Sequence, residues 1–343
     1  MTLVATAIDA MTAEIYQAAR ALGSATELNL SRATSRAWAA PLQSPGIWSS
    51  NRVARLVRAA DGWLAVNPPR QSDLEMVPAW LECTPVTDPW RSITRIARRS
   101  PSADMVARAR LLGMPVSRVG EIRAADWRPL TRPFGRASRR PGPPRPRVVD
   151  LTSLWAGPLC GRILADNGGV VTKIESSSRP DVMRDGAPAF FDELNGDKTL
   201  LTLDFQRAAD HERLREALDS ADVVITSARP RAFDQLGLSP ERVFHTNPTL
   251  VWVAITGHGW TGEAANWVGF GDDTAAAGDL VRRTRSGAPR FAGDALSDPL
   301  TGLAAAYGAM RALAEGGGVL IDAAMSRTSA GAVSVFARGR AAP

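Results

Sequence analysis

The segment at residues 293–302, Gly-Asp-Ala-Leu-Ser-Asp-Pro-Leu-Thr-Gly, sets one carboxylate, Asp298, directly before Pro299. It opens a run in which Leu303, Tyr307, Met310 and Leu313 recur at helical spacing. An acid in that place has two uses. It can cap the helix. It can also be kept ionised by the positive end of the helix and act as a nucleophile towards a thioester. Asp272, Asp273 and Asp294 stand nearby, either as solvated surface or as acid/base groups. A second segment, 154–164, places Ala156-Gly157-Pro158 between a strand-like and a helical stretch. Gly157 lets a ligand approach the backbone, Pro158 suits the first helical turn, and the helix start can hold an anionic or polarised group. An ordinary strand-to-helix turn reads the same way.

Other chemistry is missing from the sequence. No GxGxxG follows a strand, there is no GxxxxGK followed by Ser or Thr, and there is no GxSxG. His211, His245 and His258 do not have metal-ligand spacing, so no metal site is expected; only His258, at a strand end, has a claim as an acid/base group. Cys83 and Cys160 lie far apart, which excludes a disulfide framework and fits a reducing cytosol.

The elements that must position these residues follow a change of rhythm along the chain. Residues 136–147, RASRRPGPPRPR, hold four prolines and five arginines and read as an extended linker. Before it, a helix is expected over 7–22, strands over 53–57 and 63–66 around Asp61-Gly62, helices over 72–81, 88–99 and 102–112, and a short strand over 115–119. That is an α+β module of modest size. After it, short apolar runs at 147–151, 170–174, 200–203, 223–226 and 250–255 alternate with helical segments. Such runs predict an α/β fold, a Rossmann-like parallel sheet with helices on both faces. Ligands on such sheets sit beyond the carboxyl ends of the strands. Those ends are 152–158, 175–184, 227–230 and 256–259. The expected domains are therefore 1–134, a linker at 135–147, and 148–343.

With 343 residues, 45% of them hydrophobic, the chain can bury a sizeable core. No apolar run reaches the roughly 18 residues needed to cross a bilayer. The first 23 residues show no basic start and no apolar block, so no secretory signal and a cytoplasmic location are expected. The net charge is +6, and every basic residue except Lys173 and Lys198 (histidines aside) is arginine. The bias reads either as composition or as attraction for an anionic ligand. The arginine-rich stretch is internal and lacks interleaved aromatics, so neither a nucleic-acid nor a membrane partner is expected.

Taken in order, several pieces resemble the class III CoA-transferases, which include formyl-CoA transferase and α-methylacyl-CoA racemase. They are 148–152 (VVDLT), 156–160 (AGPLC), 164–175 (LADNGGVVTKIE), Leu194-Asn195 with Lys198, 201–204 (LTLD), 221–224 (ADVV), Arg229-Pro230, 236–238 (LGL), 297–302 (SDPLTG) and 321–325 (IDAAM). The resemblance implies a transferase that moves CoA between carboxylic acids, with an acyl-CoA thioester as substrate, a carboxylic acid as acceptor and no permanently bound cofactor. It makes Asp298 the attacking aspartate. It places CoA near Trp155, Ala156 and Gly157 at the thioester end, and near Leu203, Ser227, Ala228, Gln235 and Leu236 at the nucleotide end. Arg184 is implied as an anion-binding residue. Ser227-Ala228 depart from the Asn-aromatic pair of many members. Val268-Gly269-Phe270-Gly271-Asp272 lacks the His-Asp pair of the racemase branch, which demotes an α-methylacyl-CoA racemase or isomerase; a non-catalytic CoA-binding member is a further alternative. Residues 60–66 (ADGWLAV), Asp88-Pro89-Trp90 and 111–119 resemble the family's smaller domain, which would here come first, in rotated order. The resemblance also implies an interlocked homodimer.

Overall fold

The computed structural model describes residues 3–24, 29–84, 87–123 and 126–339. Cα packing divides the chain into two compact units of three stretches each. The first joins Met1–Ala40, Arg128–Trp260 and Pro299–Ala324; the second joins Pro41–Trp127, Thr261–Asp298 and Met325–Pro343. These packing units group residues otherwise than the contiguous division at 134 and 148, through specific contacts. The helix Leu3–Ala21 buries Met11 and Ile15, and its Glu14 pairs with Arg128. Residue 33 accepts a hydrogen bond from the Trp155 indole, which ties the first forty residues to the later α/β part. In the second unit the backbone N–H groups of Gly120 and Ile122 donate to the carbonyls of Ala276 and Ala277. Ala54, Leu56 and Ala65 share a core with Ala276 and Phe291.

The first unit is built on a seven-stranded sheet. Its spatial order is Leu130–Pro133, Val319–Ala324, Val251–Thr256, Val223–Thr226, Arg147–Leu151, Val170–Ser176 and Thr199–Leu203. All neighbours pair in parallel except the first, which is antiparallel. The apolar runs read from the sequence become the five strands from 147 to 256 within a few residues. In Val223–Thr226 every side chain is buried, and in Val251–Thr256 all but the last. Successive strand residues face opposite ways, so both faces of the sheet are covered. One face holds Val149, Val224, Trp252 and Leu320 against Leu214, Leu218 and Phe244. On the other, Gly308 of the helix Ser297–Ala314 lies so close to Ile321 that a methyl there would come within 2.8 Å of it.

Two strands of the sheet lack the unbroken apolar run of the other five. Leu130–Pro133 ends in proline and is mostly exposed, as an edge strand tolerates. Val319–Ala324 contains a buried acid, Asp322, which accepts the Trp260 N–H (3.1 Å) and lies 3.3 Å from an Arg132 nitrogen. The proline-arginine stretch that follows the edge strand is extended but not free. Gly135, Arg136, Ser138 and Gly142 donate backbone bonds to Gly318, Pro248, Gly316 and Leu313, so it lies along its own unit.

The second unit holds an antiparallel three-stranded sheet, Arg55–Arg58, Trp63–Val66 and Val116–Arg118. Val57, Leu64, Val66 and Val116 pack on Trp80, Ile93, Met105 and Val106 from the adjoining helices. The helix expected over 72–81 breaks at Met76 into Gln71–Glu75 and Val77–Leu81, because Pro78 has no N–H for a continuing ladder. Asp88 caps Pro89–Ala97 by accepting the Arg91 N–H, and Gly113, at φ +67°, ends Ser102–Leu111. Gly271–Ala277, Met325–Gly339 and the hairpin of Val281–Arg283 with Pro289–Phe291 complete this unit. Among the described residues, no helix is long and apolar enough to cross a membrane.

Candidate active site

In the first unit the chain runs outward from Arg147–Leu151 to the strands at 170 and 199, then returns to its other side at 223 and 251. The order reverses between Arg147–Leu151 and Val223–Thr226, where an open parallel sheet leaves a crevice beyond the strand ends. The two turns at that crevice are 152–155 and 227–229. The first rests on a buried charge network. Lys198 and Lys173, the only lysines in the chain, have fully buried side chains. Lys198 Nζ donates to Asp150 Oδ2 (2.8 Å), the Pro158 carbonyl (2.8 Å) and Asn195 Oδ1 (2.9 Å), which uses all three of its protons. Lys173 Nζ donates to the Thr152 carbonyl (2.5 Å) and lies 3.3 Å from Asp181 Oδ2. Asp181 accepts the N–H of Leu154 (3.1 Å), which sits at φ +71°. A left-handed leucine costs about 1–3 kcal/mol and persists where its surroundings over-determine it. Burial alone would raise the Asp150 carboxyl, but the charges of Lys198 and Lys173 and its hydrogen bonds outweigh this and hold it below the usual carboxylate range. Burial and the Asp150 charge push the neighbouring Cys160 thiol far up, so Cys160 is an inert packing residue.

This scaffold fixes the start of the helix Ala156–Asp166. Gly157 lies against Thr152, where a methyl would come 2.2 Å from Oγ1. Gly302, in the helix Ser297–Ala314, lies against the Ala156 carbonyl, where a methyl would come within 2.8 Å. Nine of the ten residues named from the sequence belong to this first unit, and they differ in what they present. Ala156 and Gly157 are buried at the helix start. The Trp155 side chain is only 4% exposed; its indole donates to the Ala33 carbonyl (2.9 Å) and packs edge-on against Phe190. Arg184 is engaged by Glu175 (2.8 Å) and stacked over Phe191 at 4.3 Å, and the bond to Glu175 raises its already high pKa. Leu203 is buried. Ser227, Ala228 and Gln235 are exposed, and Leu236 is half-buried with its carbonyl 2.7 Å from His211 Nε2. The sequence reading missed the Lys198–Asp150 and Lys173–Asp181 pairs. The signal for them was present: two lysines among 41 basic residues.

The tenth, Asp298, belongs to the second unit by its packing and lies in the first turn of the helix Ser297–Ala314. Its backbone N–H donates to Ala295 (2.9 Å), and its half-buried carboxylate lies over Gly271 so closely that a methyl on that glycine would meet Oδ2 at 2.0 Å. Asp272 Oδ1 accepts the Ala295 N–H (3.0 Å), which ties the loop before Asp298 to the helix Gly271–Ala277. The third acid there behaves differently. Asp273 is fully buried; its Oδ1 accepts from Asn67 (2.8 Å) and the Phe270 N–H (2.9 Å), while Oδ2 has no hydrogen-bond partner among the described residues. Burial pushes its carboxyl up to about 7. Among the described residues, no three His, Cys, Asp or Glu side chains cluster closely enough to hold a metal ion.

The raised Asp273 value has a definite consequence for stability. An unfolded aspartate titrates near 4, so between about pH 4 and 7 the folded chain holds the extra proton. Stability must then fall as pH rises through that window. Urea unfolding midpoints of the wild type should drop from pH 5 to pH 8 more than those of Asp273→Asn, whose profile loses this component. An equal or steeper drop in the variant would refute the assignment.

A sequence profile of the family described as CoA-transferase family III matches residues 146–337. Among similar proteins, an acyl-CoA transferase of Fusarium pseudograminearum is 30% identical over 203 residues, 53% of this chain and 44% of that protein. A succinyl-CoA–D-citramalate CoA-transferase of Chloroflexus aurantiacus is 31% identical over 50% of this chain and 46% of its own. A formyl-CoA:oxalate CoA-transferase of Escherichia coli is 30% identical over 49% and 42%. The chain thus spans under half the length of these relatives. A CaiB/BaiF family protein from Brucella suis of known crystal structure superposes with a TM-score of 0.52 at 29% identity, covering 59% of this chain and 58% of that one.

Proposed function

Because this chain belongs to CoA-transferase family III, with a match covering residues 146–337, we propose that it transfers CoA between carboxylic acids through a covalent aspartyl intermediate on Asp298. The donor is an acyl-CoA thioester bound along the strand ends of the first unit, with Ala156 and Gly157 at its thioester end and the exposed 227–228 turn and Gln235 towards its nucleotide end. Arg184 joins anion binding only by sharing its guanidinium with Glu175.

The chemistry balances without any metal or redox partner. An Asp298 oxygen attacks the thioester carbonyl, the carbon–sulfur bond breaks, and CoA leaves as thiolate from a mixed anhydride. The thiolate then attacks the aspartyl carbonyl, releasing the donor acid as carboxylate and leaving an Asp298 thioester. The acceptor carboxylate attacks that thioester, giving a second anhydride and free thiolate. Attack of the thiolate on the acceptor carbonyl yields the new acyl-CoA and regenerates Asp298.

One observation carries this reading: the helix with Asp298 in its first turn carries Gly302 four residues later, with only a hydrogen where a side chain would strike the Ala156 carbonyl. The glycine under the Asp298 carboxylate, Gly271, likewise leaves that group without a covering side chain from its own helix start. The relatives named for succinyl-CoA and formyl-CoA transfer supply the reaction class. The resemblance of residues 60–66, 88–90 and 111–119 to the family's smaller domain belongs to the same proposal, in rotated order. The test is chemical trapping. Protein incubated with an acyl-CoA and hydroxylamine should carry a hydroxamate on the peptide containing Asp298, seen by mass spectrometry. A hydroxamate elsewhere, or none while transfer proceeds, would remove Asp298 from the mechanism.

A further inference from the structure

A second concave site lies wholly within the second unit and has no part in the chemistry above. It is a cavity of about 490 Å³ lined by Arg55, Arg91, Arg95, Arg98 and Arg99 with Asp88, Trp90 and Thr94. Five guanidiniums meet a single carboxylate, and that carboxylate is already in use, since Asp88 Oδ1 accepts the Arg91 N–H at 3.0 Å as a helix cap. Among the described residues, none of the five arginines has a carboxylate partner within ion-pair distance, whereas Arg70 and Arg108 in the same unit do.

Fold stability does not explain the arrangement. Arg91, Arg95 and Arg98 follow at spacings of four and three, on one face of the helix Pro89–Ala97 and its last turn. Like charges at that spacing destabilise a helix. Cations at 98 and 99 do suit the helix C-terminus, but Arg91 sits at its opposite end and Arg55 comes from the strand Arg55–Arg58. The Arg55 guanidinium is held against two indoles, 5.0 Å from the Trp48 ring and 5.8 Å from the Trp90 ring, which are themselves packed edge-to-face at 4.9 Å. Its Nε–H is buried and has no acceptor among the described residues. A buried donor on a cation left without an acceptor is costly, and a phosphate oxygen is the acceptor that a guanidinium fork fits best.

We propose that this cavity is an anion site for a compact small molecule bearing two or more phosphates, such as a nucleoside diphosphate or inorganic pyrophosphate. Its size matches small-ligand pockets. A nucleic-acid groove would instead need a basic track with successive stacking aromatics. The site stands apart from the acyl-CoA reading and survives its failure.

The test titrates the full chain with pyrophosphate, ADP and adenosine, following tryptophan fluorescence and heat. Pyrophosphate and ADP should bind saturably and more weakly at high salt, and adenosine should not bind. Tighter ADP binding assigns the natural ligand to a nucleotide; equal affinities assign it to the phosphates alone. Arg91→Glu/Arg95→Glu alters two exposed side chains and should weaken pyrophosphate binding by roughly tenfold or more, about 1.4 kcal/mol. Arg95→Gln/Arg98→Gln should weaken it in the same direction without reversing charge. Absence of saturable pyrophosphate binding, or equal binding by both variants, overturns the proposal.

Discussion

Asp298→Asn should bind acyl-CoA as the wild type does and turn it over at a rate lower by on the order of 10⁴-fold or more, the scale seen when a covalent nucleophile is removed. The amide matches the carboxylate in shape, so the packing over Gly271 and the Ala295 loop is kept. What disappears is the oxygen proposed to become acylated. Asp298→Glu should also fail, although it keeps the charge. The Gly271 backbone and the Ala295 side chain close off the space beneath the carboxylate, where a methyl on Gly271 would already meet Ala295 at 2.6 Å. An extra methylene must therefore carry the acid elsewhere, and misplacing a reacting group by about 1 Å can cost 10²-fold. Transfer rates with several acyl donors, measured beside calorimetric binding of the same donors, separate the two steps. An Asn variant that retained full transfer would show that the acid only stabilises the start of its helix.

That the cap and the nucleophile read alike in the sequence shows where local reasoning stops. The Asp298 segment, the Gly157 turn and the five parallel strands from 147 to 256 are legible because each is specified by neighbours in the chain: a proline after an acid, a glycine before a proline, an unbroken apolar run. Val319–Ala324 is not, because Asp322 interrupts it and is satisfied by Arg132 and Trp260 from far along the chain. The resemblance makes Trp155 a ligand contact; its indole also donates to the Ala33 carbonyl, and no pattern near 155 records that bond. The two units are illegible for the same reason. Nothing in the composition of residues 1–40 or 261–298 states which half of the chain will cover them. Lysine usage is the exception. In a chain that uses arginine almost everywhere, a compact ammonium with three protons is retained at the two places where the charge is buried.

A large destabilisation is expected at one of those places. Lys198→Met should lower unfolding free energy by about 3–5 kcal/mol, because it leaves Asp150 buried, charged and without its partner. Lys198→Arg should not rescue it. Nζ sits so close to Gly161 that a methyl there would lie 2.9 Å from it, and the guanidinium fork cannot reach Asp150, Pro158 and Asn195 together from that position. The decisive variant is the double one. Lys198→Met/Asp150→Asn should be more stable than Lys198→Met alone, since the second change removes the stranded charge while the Asn oxygen keeps the bond from the Thr152 N–H. Acid should act in the same sense. The wild-type carboxyl is held below its usual range, so the stabilisation it contributes is present above about pH 4 and fades only as pH falls below that. In Lys198→Met, burial would raise the Asp150 value, so the gap to the wild type should narrow as the variant takes up a proton on acidification. Urea unfolding of the four chains across pH measures every part of this. A double variant weaker than Lys198→Met would mean that Asp150 is held by something other than the lysine. The same pair also bears on the proposed acyl-CoA site: Lys198 anchors the Pro158 carbonyl and Asp150 anchors Thr152, so the turn proposed to meet the thioester is only as rigid as the ion pair beneath it.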